Sequence, residues 1–155
     1  MINLSGTQKM EEIYPFIVES IKDGGQFVIY PKGTSMLPTI VPEKDCVVLV
    51  EPTNLKCYDL VLFTRDNGTF VLHRIINIKD GKYIINGDNQ LWTEETSKEK
   101  IIAKVFEIRK PDGKVICEKT FTSKTILINL FFRKQIRRVL SKIKRILKGE
   151  KFDEK

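Results

Sequence analysis

The sequence predicts a mainly β domain with a short helix before it and a basic amphipathic helix after it. Three observations carry this. Runs rich in Val, Ile, Phe and Tyr recur between residues 26 and 119. Asn67-Gly68, Asp80-Gly81 and Asp112-Gly113 separate several of them, and such pairs favour tight hairpins because both residues accept positive φ. The apolar period changes to helical at both ends.

Residues 8–22 place Met10, Ile13, Phe16, Ile17 and Ile21 at helical spacing. Pro15 is expected near the first turn, where a missing N–H costs nothing. Gly24-Gly25 ends the helix. The expected strands are 26–30, 46–51, 60–64, 69–76, 82–86, 101–109 and 114–119. Beyond Ser123, Ile126, Leu127, Leu130, Phe131, Val139, Leu140, Ile143, Ile146 and Leu147 follow the 3.6 period, with bases between them. The organisation expected is a helix over 1–25, a β domain over 26–120 and a helical tail over 121–155.

The 155 residues suit one domain with a sizeable core plus an appendage. Hydrophobic content of 41% and charged content of 30% are ordinary for a globular protein. The net charge of +7 is concentrated: residues 133–151 hold nine basic side chains and one acid, Glu150, a net +8 against about −1 elsewhere. A tail of that kind meets acidic partners. A membrane surface carrying anionic lipid is the expected one. A helix packed on its own domain or on a protein partner comes second, and nucleic acid third. Trp92 is expected in the core or a cleft.

Cys46, Cys57 and Cys117 are odd in number and lack metal-type spacing. They read as free thiols, with Cys46 and Cys117 as small core residues, and no metal or cofactor is expected. The first residues do not read as a secretory signal, and no window reaches the ~18 apolar residues of a membrane span. The expected location is the cytoplasm, with a peripheral place on the inner face of the cell membrane.

Three constellations carry chemistry. In Lys32-Gly33-Thr34-Ser35-Met36-Leu37-Pro38-Thr39, a serine lies between a strand and a Pro-containing turn. Gly33 allows close backbone approach and Pro38 restricts the turn. Alone, this does not separate a nucleophile from an ordinary loop serine. His73, the one histidine, lies in Val71-Leu72-His73-Arg74. A serine hydroxyl needs a base, and neutral imidazole suits that task near pH 7; a satisfied strand histidine is the competing reading. Arg74, on the opposite strand face, is a surface charge or a carboxylate partner. Asn86-Gly87-Asp88-Asn89-Gln90 reads as a turn, or as the source of an acid that orients His73 or the backbone around it.

Taken in order, Ser35-Met36-x-Pro38-Thr39, Leu72-His73-Arg74 and Gly87-Asp88-Asn89 resemble the S26 signal peptidases and the related S24 self-cleaving repressors. Asp45-Cys-Val-Val and Asp59-Leu-Val-Leu-Phe resemble the strand motifs of that family. The likeness runs from about Gly33 to Glu107. It implies the coiled β-sheet of the signal-peptidase/LexA-like fold. Histidine stands where most bacterial signal peptidases and the repressors have lysine, as in the Ser-His branch of the endoplasmic reticulum and archaea.

By that resemblance Ser35 is the nucleophile, His73 the base and Asp88 the third member, with Glu94 or Glu95 as an alternative third member. Gly33, Thr34, Met36 and Pro38 are the expected oxyanion or substrate-binding residues. The implied activity is a serine endopeptidase acting on a leader, signal or precursor peptide after a small residue. A non-catalytic or self-cleaving regulatory module of the same fold is the alternative. The family's membrane anchor and the repressors' helix-turn-helix both have no counterpart before Ser35.

Overall fold

The computed structural model describes residues 7–122 and 124–147. Helix α1 spans Thr7–Ile21, and a short 3₁₀ turn follows at Lys22–Gly24. The strands are β1 (Phe27–Ile29), β2 (Cys46–Val50), β3 (Leu60–Thr64), β4 (Phe70–Lys79), β5 (Lys82–Asn86), β6 (Glu94–Thr96), β7 (Ile101–Arg109) and β8 (Val115–Cys117). Helices α2 (Glu118–Phe121) and α3 (Lys124–Leu147) complete the described chain.

All strands join one antiparallel sheet in the order β1-β2-β7-β3-β4-β5-β6, with β8 added to β7. The mainly β architecture expected from the sequence is observed. Register shifts interrupt the β2–β7, β3–β7 and β4–β5 ladders. An extra residue on one strand bends it and raises the local twist, so the sheet has a buried cluster on each face. Strand β3 shows both faces at once. Leu60 and Leu62 enter the larger cluster with Ile17, Ile40, Val47 and Val105. Val61 and Phe63 enter a smaller one with Ile75, Ile85 and Ile101. A strand buried on both faces has to be apolar where it is buried, as β3 is from Leu60 to Phe63.

Helix α1 contributes Ile13, Ile17 and Ile21 to the larger cluster. Phe16 does not join them and is 64% exposed. Pro15 lies in mid-helix, not in the first turn. The expected strand over 114–119 ends at Cys117 and gives way to α2. Cys117 is exposed and Cys46 half-buried, so neither is a sealed core residue. Trp92, expected in the core or a cleft, is 61% exposed.

Candidate active site

Ser35 lies in the loop between β1 and β2. Met36 and Ile40, buried on either side of Pro38, anchor that loop in the larger core. Within it Leu37 N–H donates to Thr34 O at 3.2 Å, and Ile40 N–H to Met36 O at 3.0 Å. Gly33 has φ +79 and open space around a would-be Cβ. Its left-handed backbone conformation is one that glycine adopts without strain.

The Gly87-Asp88-Asn89 turn grips this loop from outside. Asn89 N–H donates to Ser35 O at 2.7 Å, and Asn89 Nδ2 to Thr34 O at 3.0 Å. A Cβ on Gly87 would stand 2.8 Å from Ser35 O. The turn thus fixes the backbone on which the Ser35 hydroxyl stands. Neither the N–H nor the hydroxyl of Ser35 makes a hydrogen bond with any described residue.

His73 is in β4, opposite Val61 of β3. It has no exposed surface, and its ring lies 6.0 Å from that of Phe63. Both ring nitrogens lack a hydrogen-bond partner. That is unusual for a buried polar side chain, because an unmade bond costs about 1–3 kcal/mol. A satisfied structural histidine would not look like this.

Glu94 Oε1 lies 3.4 Å from Nδ1, at ion-pair distance but outside hydrogen-bond alignment. Arg65 holds Glu94 in a two-pronged contact, Nε to Oε2 at 2.5 Å and Nη2 to Oε1 at 2.6 Å. Arg65 keeps Glu94 below the usual carboxylate range, chiefly through that hydrogen bond. Burial pushes His73 down to about 4; Glu94 pulls it upward, Arg65 opposes that pull, and Asp88 and Lys134 add smaller upward and downward contributions. The imidazole is therefore neutral at pH 7.

Ser35 and His73 border one cavity of about 200 Å³, together with Gly33, Arg65, Phe70 and Gln90. They are not hydrogen-bonded to each other. On the β5 side, β4 is paired only from Arg74 onward. The backbone of Phe70–His73 therefore has β3 on one edge and no strand of the sheet on the other.

The chain matches no protein-family model and no curated protein. The site is therefore read from its geometry.

Asp88 does not face His73 as its acid. It is buried and bound by Arg74, Nε to Oδ1 at 2.8 Å and Nη2 to Oδ2 at 2.7 Å, while the Thr39 hydroxyl donates to Oδ2. Adjacent strand residues point to opposite faces, so Arg74 takes Asp88 on one side of β4 and His73 meets Glu94 on the other. Arg74 is the buried carboxylate partner of the two readings open for it. Thr34 is exposed, and Met36 both lines the cavity and packs in the core. Pro38 lies outside the Ser35–His73 cavity. It borders a larger apolar groove of about 580 Å³ shared with Phe121, Leu130, Phe132 and Ile136. Among the described residues no three His, Cys, Asp or Glu side chains converge to hold a metal.

Arg65, the role of Gly87, and Gln90 as part of the wall were not legible in the sequence. Gln90 Oε1 is buried there without a partner. Helix α3 is a further neighbour of this region. Arg137 Nη1 donates to Asn89 O at 2.5 Å and also to Asn89 Oδ1, and Lys134 donates to Asn86 Oδ1.

Proposed function

We propose that the chain is a serine endopeptidase of the signal-peptidase type, with Ser35 as nucleophile, His73 as general base and Glu94 as the acid beside it. The observation that carries this is one cavity bordered by a backbone-fixed serine and a neutral, unpartnered histidine from distant parts of the chain. Glu94 stands at Nδ1, which leaves Nε2 for the hydroxyl.

Ser35 Oγ attacks the scissile carbonyl as Nε2 takes its proton. The tetrahedral intermediate collapses, the C–N bond breaks, and the imidazolium returns the proton to the leaving amine. A water then repeats the cycle on the acyl-enzyme. The free Ser35 N–H is one oxyanion donor, and Gly33 or the Gln90 amide on the cavity wall supplies the second. The substrate lies extended along the unpaired edge of Phe70–His73, adding a strand to the sheet. A cavity this small favours a small side chain beside the cleaved bond. The finer assignment to the coiled signal-peptidase/LexA-like fold belongs to the same proposal and is supported by the bulged, two-faced sheet.

The test is labelling by a fluorophosphonate probe together with cleavage of a peptide library. Wild type labels and cleaves. Ser35→Ala and His73→Ala, folded as judged by circular dichroism, do neither. A second reading, a peptide-binding module without catalysis, is favoured by the missing Ser35–His73 hydrogen bond. Peptide binding with no labelling at any pH establishes it and overturns the first.

A further inference from the structure

Helix α3 has two opposite faces. Leu130, Lys134 and Arg137 share one face, at i, i+4 and i+7. Leu130 is buried, and the other two reach the 86–89 turn. At ~100° per residue, Val139, Ile143 and Leu147 fall on the far side, as do the outer parts of Phe132 and Ile136, which also border the groove with Pro38 and Phe121. They are 46–82% exposed. Beyond Ile136 the helix thus turns its apolar side outward, the reverse of a helix packed on its own domain.

Arg133 and Lys144 border the apolar strip on one side, and Arg138 and Lys142 on the other. None of these four makes an ion pair among the described residues. The helix contains no Asp or Glu. The occupant must therefore be anionic where it meets both flanks and apolar between them. A second copy of the helix would set bases against bases. A nucleic acid would leave the Phe and Ile side chains in water. The helix cannot cross a membrane, being too charged for a span. Lying flat, its 24 residues cover about 36 Å.

We infer that α3 is an interfacial helix that docks the protein on a membrane surface bearing anionic lipid. Its apolar strip enters the headgroup–acyl boundary and its flanking bases meet lipid phosphates. The inference rests on the outward face of α3 and is independent of the peptidase reading.

The test is flotation of the full chain with vesicles of phosphatidylcholine alone, or with about a third phosphatidylglycerol. Wild type floats with the anionic vesicles, less so as salt rises, and stays behind with the neutral ones. Arg138→Glu with Lys142→Glu lowers the partition by roughly tenfold or more. Val139→Asp with Ile143→Asp abolishes flotation. All four positions lie away from the seated face, so circular dichroism and urea unfolding should match wild type. Three results overturn the inference. One is no flotation, or equal flotation with both vesicles. Another is unchanged binding by the Val139/Ile143 variant, which would leave charge alone. The third is a dimer in sedimentation equilibrium that this variant dissolves, which would make the strip an interface between copies.

Discussion

Ser35 O accepts a 2.7 Å hydrogen bond from Asn89 N–H, and the Cα of Gly87 passes so close that a Cβ there would stand 2.8 Å from the same oxygen. The Gly-Asp-Asn turn therefore acts on the serine backbone and not on the imidazole. Gly87→Ala forces the Ser35 carbonyl or the turn to move. Overpacking of this kind costs about 1–3 kcal/mol. The expected outcome is a lower urea midpoint and a loss of fluorophosphonate labelling larger than the stability change explains. Labelling at the wild-type rate would show that the serine does not depend on this contact.

Asp88 and Glu94 should fail differently. Asp88 is one half of a buried ion pair with Arg74, and removing one partner from such a pair typically costs about 3–5 kcal/mol. Asp88→Ala is expected to lose that much stability in urea unfolding. Glu94→Gln keeps the shape, unfolds near wild type and loses kcat, because the nearest acid to Nδ1 is gone. Equal effects of the two substitutions on kcat per unit of lost stability would return Asp88 to the site.

The imidazole gives the protein a pH signature. His73 is pushed from 6.5 down to about 4 by burial. Between those values the unfolded chain binds a proton that the folded one refuses, so stability falls as pH drops from about 6.5 towards 4. The shift corresponds to about 3 kcal/mol. Wild type should lose that much relative to His73→Asn over this window, as read by urea unfolding at each pH. The acid limb of kcat/KM should likewise lie near pH 4, not near 6.5.

Neighbouring charges set where that limb falls. Glu94 raises His73 and Arg65 lowers it. Glu94→Gln should therefore move the imidazole titration to lower pH, and Arg65→Gln should move it up, both followed by the ring proton resonances in NMR. A shift of the same sign in both variants would mean that Arg65 acts only by orienting Glu94.

Much of the sheet was legible because local chemistry and tertiary structure agree there. Strands β3, β5 and β7 span the residues expected of them, and Asn-Gly or Asp-Gly joins three of the hairpins. The serine loop and the histidine strand were legible as candidates from residue type and order. Their acid was not. Glu94 sits in β6, where Glu-Glu-Thr has little intrinsic preference for a strand and is held by pairing with Tyr83–Ile85. Asp88 was misassigned because spacing cannot tell which side of β4 it meets, and Arg74 outcompetes His73 for it. Nor does helical periodicity say which face docks, so the seat of α3 on Asn86 and Asn89 was invisible.

That seat yields a final expectation. Arg137 donates to Asn89 O, and Asn89 holds both Ser35 O and Thr34 O. Arg137 is thus a positioning residue two contacts from the nucleophile. Arg137→Ala should leave global stability within about 1 kcal/mol, since its partner is exposed. It should slow fluorophosphonate labelling several-fold and lower kcat while KM changes little. Arg137→Lys should rescue part of the rate by restoring one donor to Asn89 O, although the ammonium lacks the rigid plane of the guanidinium. If Ala and Lys slow labelling equally, the charge of α3 near the site is irrelevant and only the shape of the guanidinium matters. If neither slows it, α3 and the Ser35 loop are neighbours without coupling.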